Sequence, residues 1–140
     1  MDKEPKVTGI GGVFFKTANA SKTKDWYRDN LGIKVNEWGA SFEFRNANRP
    51  EEINYLSWSP FSADTDYFNP SDQSFMINYR VQNLDGLLQQ FKSKGIELLG
   101  PVQEFEYGRF AHVLYPNGIK LELWEPIDEV FTKMGGETNK

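Results

Sequence analysis

The chain has 140 residues, enough for one domain with a real core or for two small halves that share one. Its 39% hydrophobic and 26% charged residues read as an ordinary globular chain, without a disordered tract or a membrane span. The 20 acidic and 16 basic residues give a net charge of -4 and gather into no cationic stripe, so nucleic acid is not an expected partner.

The chain has no Cys, which excludes disulfides, thiolate nucleophiles and Cys-based metal sites and fits a reducing cytoplasm. The charged start, Met1 to Lys6, precedes no long apolar run and is not read as a signal peptide, so a cytoplasmic location is expected. Aromatic residues make up 15%, and such side chains fill cores or line pockets for flat and apolar ligands.

From Ile10 to Thr17 an apolar run rich in β-branched and aromatic residues predicts a strand. Asn19-Ala20-Ser21 then offers a helix cap, and Gly32 a stop just after Leu31. Phe61 to Asp72 is turn-rich and predicts a linker. Phe75 to Val81 predicts another strand, with Asn83 as the cap of a second helix. In that helix Leu84, Leu87, Leu88 and Phe91 fall at i, i+3, i+4 and i+7, before a stop at Gly95. Strands follow at Ile96 to Val102, Phe110 to Tyr115 and Ile119 to Trp124, the last two joined by the Asn117-Gly118 turn. The tail after Met134 is Gly-rich and polar, and is expected to fray.

Three landmarks recur at nearly one offset. Gly32-Ile33 and Gly95-Ile96 differ by 63, Phe15 and Tyr79 by 64, and Trp58 and Trp124 by 66, which predicts an internal duplication of a strand–helix–three-strand unit.

That doubled βαβββ plan resembles the vicinal-oxygen-chelate superfamily, which includes the glyoxalases, the bleomycin-resistance proteins and the extradiol dioxygenases. Trp26-Tyr27-Arg28-Asp29-Asn30-Leu31-Gly32 is similar to its first helix ending, and Asn78 to Asp85 to its second strand-to-helix junction. Tyr115 to Pro126 is similar to its closing hairpin, with Tyr115 and Ile119 in place of the usual Asp and Asn. The resemblance implies an α+β fold in a single domain, 1–140, with modules at 7–60 and 73–126, a linker at 61–72 and a tail at 127–140. Half-open mixed sheets would enclose a cavity, with the helices on the outer face.

The resemblance also implies where metal ligands would stand: Gly12 and Met76 on the first strand of each module, Leu56 and Glu122 on the last. Only Glu122 can hold a hard metal, so no family-type metal site and no cofactor are expected. Strand alternation sets Glu122, Trp124, Trp58, Met76, Asn78, Arg80 and Phe14 on matching faces of their strands, and the resemblance implies that this face looks into the cavity. Those residues, with Tyr107 from a loop, are the candidate ligand contacts.

Glu122 is a candidate general base or ligand acceptor. The alternative is a structural carboxylate satisfied by Arg80, Lys16 or a Tyr hydroxyl; an unpaired one in that position tends toward a raised pKa. His112 and Glu43 fall 69 apart, after Gly108 and Gly39, and are candidate partners in acid–base work, or else simply polar strand residues. The expected function is metal-independent binding of a small molecule, as in the bleomycin-resistance branch, by a homodimer. The alternative is a lyase, isomerase or dioxygenase of the same superfamily.

Overall fold

Seven strands and three helices occur among residues 3–140, the residues described by the computed structural model. They run β1 (Lys6–Thr17), α1 (Ala20–Leu31), β2 (Ala40–Arg45), β3 (Ile53–Ser62), β4 (Phe75–Gln82), α2 (Leu84–Ser93), β5 (Gln103–Phe105), β6 (Gly108–Leu114), β7 (Lys120–Pro126) and α3 (Asp128–Met134). The fold is α+β, and the two modules join through antiparallel β1–β4 pairing into one mixed sheet ordered β2-β3-β1-β4-β7-β6-β5.

Both helix starts follow from their caps. The Asn19 side chain accepts from the Lys22 amide at 3.0 Å, and the Asn83 side chain accepts from the Gly86 amide at 3.0 Å. At the end of α1, Gly32 adopts φ 71 and its N–H donates to the Arg28 carbonyl. The α2 face read from the sequence is the one that packs. Leu84 is fully buried with Val81, Ala111 and Leu123, and Leu87, Leu88 and Phe91 close over them.

The expected strand over Ile96 to Val102 does not form. It is reduced to a single bridge, Leu98 to Val113, and the strand starts later as β5. Gly100, with φ 82, and Pro101, which lacks an N–H, interrupt the ladder. In the first module the equivalent strand is likewise only a bridge, Asn36 to Gly39.

The tail does not fray. It follows α3 and is tied down at Asn139, which docks against β2. There its N–H donates to the Ser41 carbonyl at 2.8 Å, its carbonyl accepts from the Glu43 amide at 2.9 Å, and its side chain bonds Lys34 in both directions.

The repeat has a measurable register. Gly39 and Gly108 share an unusual conformation, φ 135 and φ 136. A Cβ on Gly39 would stand 2.1 Å from the Trp58 carbonyl oxygen and 3.0 Å from Ser59 Cα. One on Gly108 would stand 2.3 Å from the Glu125 carbonyl oxygen and 3.1 Å from Pro126 Cα. Trp58 is thus the equivalent of Glu125, an offset of 67 rather than 66, and Glu122 is the equivalent of Tyr55 rather than Leu56.

The one-residue slip turns Trp58 to the other face of the sheet. Trp58 packs on Tyr27 of α1 at 4.6 Å and on Phe15 at 5.5 Å between ring centroids, so it is a helix-side core residue and not a ligand contact. No helix among the described residues is long and apolar enough to cross a membrane.

Candidate functional site

On the face of the sheet opposite α1 and α2, both modules contribute to a cavity of about 840 Å³. Strand register brings three polar residues together on its floor. Glu122 of β7 stands opposite Asn78 of parallel β4 and opposite His112 of antiparallel β6. Residues directly opposite in neighbouring strands point to the same face, so these three side chains must meet.

Their contacts are specific. Asn78 Nδ2 donates to Glu122 Oε1 at 2.6 Å, and His112 Nε2 lies 2.7 Å from Oε2. A carboxylate only accepts, so His112 carries its proton on Nε2. The Tyr67 hydroxyl also donates to Oε2. Burial opposes ionisation of Glu122, but the hydrogen bonds from His112, Tyr67 and Asn78 outweigh it and hold the carboxyl below its ordinary range. The raised pKa expected of an unpaired carboxylate is therefore reversed, because this one is paired three times. Tyr67 is pushed the other way, first by burial and then by the charge of Glu122.

Tyr67 lies in the segment read as a linker. It reaches Glu122 because its ring stacks on Phe61 at 5.6 Å and 8° and meets the His112 ring edge-on at 5.9 Å. Lys120 Nζ donates to the Tyr67 carbonyl at 2.7 Å, and Phe68 next to it is completely buried. The signal for this contact in the sequence was only a Tyr between turn residues, which carries no direction.

The walls are aromatic. Trp124 stacks on Phe110 at 5.9 Å and 7°, and its indole N–H donates to the Tyr107 carbonyl at 3.0 Å. Tyr107 stacks on Phe105 at 5.3 Å and 3°. Phe14, Asn78, Trp124 and Tyr107 line the cavity, as their parity or loop position implied. Gly11 makes room for the floor, since a Cβ there would stand 2.3 Å from Asn78 Oδ1 and 2.8 Å from Trp124.

Other expected contacts are corrected. Met76 is fully buried in a cluster with Phe14 and Phe68 and does not line the cavity. Arg80 is also absent from the lining: its guanidinium pairs with Asp128 of α3 and donates to the Tyr55 carbonyl at 3.0 Å. Glu43 and His112 occupy equivalent places but do not meet, because β3, β1, β4 and β7 lie between their strands. Glu43 pairs instead with Lys140 Nζ at 3.2 Å. His112 itself is buried behind Glu122 rather than on the cavity wall.

The residues present do not fit the divalent metal that this fold often carries. Around Glu122 the cavity offers Asn78, Tyr67 and the backbone at Gly11, and Glu122 already accepts from three protein donors. Among the described residues no three His, Cys, Asp or Glu converge.

No protein-family profile and no curated protein sequence matches the chain. Solved structures do. Methylmalonyl-CoA epimerase from Mycobacterium tuberculosis is 19% identical with a TM-score of 0.59, over 93% of this chain and 95% of that one. The Mn(II)-bound glyoxalase from Novosphingobium aromaticivorans is 16% identical with a TM-score of 0.60, over 87% of this chain and 40% of that one. A catechol 2,3-dioxygenase is 20% identical with a TM-score of 0.57, over 88% and 40%. Such a likeness defines a two-module α+β architecture around a central cavity. The chain has the vicinal-oxygen-chelate fold.

Proposed function

We propose that this chain binds a small aromatic molecule, neutral or cationic, in the inter-module cavity, without a divalent metal and without chemistry on the ligand. The observation that carries the reading is Glu122, an ionised acceptor fixed by three donors at the floor of an aromatic-walled cavity. A carboxylate has about four acceptor positions. Tyr67 and His112 take two on Oε2, and Asn78 takes one on Oε1. One position on Oε1 is left for a ligand N–H or O–H.

Charge supports the ligand class. The lining includes the carboxylates of Glu37 and Glu122, and no Lys or Arg among the described residues. Such walls favour a cation over aromatic faces and repel an anion. They argue against an acyl-CoA carboxylate of the kind named for the epimerase. The lowered pKa of Glu122 likewise makes it a weak general base, which favours binding over proton abstraction. This resembles the metal-independent, ligand-sequestering branch of the superfamily.

A homodimer belongs to the same reading. Trp38, 77% exposed, and Phe105, 49% exposed, stand at the cavity, and such large apolar surface suits a partner copy. A monomeric mass by light scattering at micromolar concentration would remove that part.

The test is a thermal-shift series of aromatic amines, phenols and matching carboxylates. Ligands that bind only the native state raise its midpoint. Amines and phenols are expected to raise it more than the acids, and Glu122→Gln to reduce the amine shift most. A series in which no amine or phenol stabilises, or in which Glu122→Gln changes nothing, overturns the reading.

A further inference from the structure

The short helix α3 divides the open face of the sheet. Phe131 lines the aromatic cavity on one side, while Asp128 lines a second groove, of about 980 Å³, on the other. Two side chains one turn apart on α3 occupy two well-formed sites.

Four donors converge on the Asp128 carboxylate. Arg80 Nη1 donates to Oδ1 at 3.1 Å and Nη2 to Oδ2; the Tyr55 amide donates to Oδ1 at 3.3 Å and Asn54 Nδ2 to Oδ2 at 3.3 Å. Arg80, Asn54 and Tyr55 are all buried, and all belong to the sheet rather than to α3. The planar fork of Arg with two further N–H groups is a receptor matched to a carboxylate. Phe131 meanwhile sits in a cage of Tyr55, Tyr107 and Trp124, with ring centroids at 5.5, 5.6 and 6.0 Å.

Apart from the anchors at Asp128 and Phe131, and a Tyr55 hydroxyl bond to Thr132 at 2.9 Å, little along its length holds the helix that fills both sites. It has seven residues, none of them buried, no side-chain cap at its start, and Gly135 and Gly136 directly after it at φ 71 and 98. It is held at both ends, by β7 before it and by Asn139 docked on β2 after it. A segment of this kind opens locally without unfolding the sheet.

The geometry points to α3 as a built-in stand-in for an aromatic carboxylate: the carboxylate of Asp128 on Arg80 and the ring of Phe131 in the aromatic cage hold places that a free arylalkyl carboxylic acid takes when α3 swings out. The inference goes beyond the reading of the cavity, because these two places are filled by the chain itself. It also gives the sheet a cationic site that the cavity lacks while α3 is closed. A ligand that binds only the open state is weakened by the rarity of that state, so loosening α3 must tighten it.

The test uses 3-phenylpropionate and its neutral amide, titrated calorimetrically into the wild-type protein and into an Asp128→Asn/Phe131→Ala double variant. The double variant is expected to bind the acid at least about tenfold more tightly than wild type, with a smaller gain for the amide, and adding Arg80→Gln is expected to abolish the gain. No gain, or a gain that survives Arg80→Gln, overturns the inference. Amide hydrogen exchange of the unmodified protein serves if the variants do not fold. Saturating acid is expected to speed exchange in α3 while leaving β4 and β7 unchanged, and unaltered or slower α3 exchange overturns the inference. Should 2-phenylethylamine bind through Glu122 while the acid fails in every arm, the cavity reading stands and this one falls.

Discussion

Glu122 sits at 2% exposure, where an isolated carboxylate would be unaffordable, and it is ionised because Asn78, His112 and Tyr67 each donate to it. The arrangement ties stability to pH with a definite sign. The folded pKa lies below the ordinary 4.5, so the stabilising contribution is complete above that value and is lost as pH falls through the folded pKa. Thermal midpoints should hold from neutrality to the ordinary carboxyl range and then fall. In Glu122→Gln this particular acid step should disappear. Tyr67→Phe removes one of the three donors. It should cost about 1 kcal/mol, and a carboxyl carbon NMR titration should place Glu122 higher than in wild type. A Glu122 pKa unchanged by that substitution would mean that Tyr67 does not hold it.

The glycine pair makes a second residue-scale prediction. At Gly39 and Gly108 a Cβ would stand 2.1 and 2.3 Å from a backbone oxygen, in a conformation that L side chains rarely adopt. Gly39→Ala and Gly108→Ala should each lose more than about 2 kcal/mol in denaturant unfolding. Equal losses would agree with their equivalence in the two modules.

At the scale of elements, the faces of the sheet separate stability from binding. Trp58 belongs to the α1 side, held by Tyr27 and Phe15, and is half-buried. Trp58→Ala should therefore cost about 2 kcal/mol and leave ligand affinity unchanged. Phe110, stacked on Trp124 in the cavity wall, should show the reverse: Phe110→Ala weakens binding more than it weakens the fold. Titration of both variants with the best ligand of the thermal series checks the contrast.

Much at this scale was legible. The caps at Asn19 and Asn83, the stop at Gly32 and the apolar face of α2 are local signals, set by residues within a few positions of each other. The Asn117-Gly118 hairpin formed as read, although only Gly118 takes positive φ, at 94. The failures have one cause each. Gly100 and Pro101 broke an expected strand, and α3 was hidden in a tail whose glycines follow the helix rather than dissolve it. Trp58 was turned to the wrong face because a repeat offset of 66 was carried across a hairpin whose true offset is 67, and in a strand one residue reverses every side chain.

For the whole molecule, the donor set decides the expected metal behaviour. With Glu122 already occupied by three protein donors, and no three His, Cys, Asp or Glu converging among the described residues, chelation should leave the thermal midpoint unchanged. Elemental analysis should find well under one ion per chain. A stoichiometric Ni, Zn, Fe or Mn would return the catalytic alternative to first place.

The sequence by itself determined the doubled module, its helices and its turns. These rest on short-range patterning and on a repeat that can be counted. Only the tertiary structure decided what Glu122 touches, that Arg80 is held by Asp128, that Glu43 lies across the sheet from His112, and that α3 fills the open face. Each of those depends on strand order and register between residues 10 to 74 positions apart, where a shift of one residue or one strand changes the partner entirely.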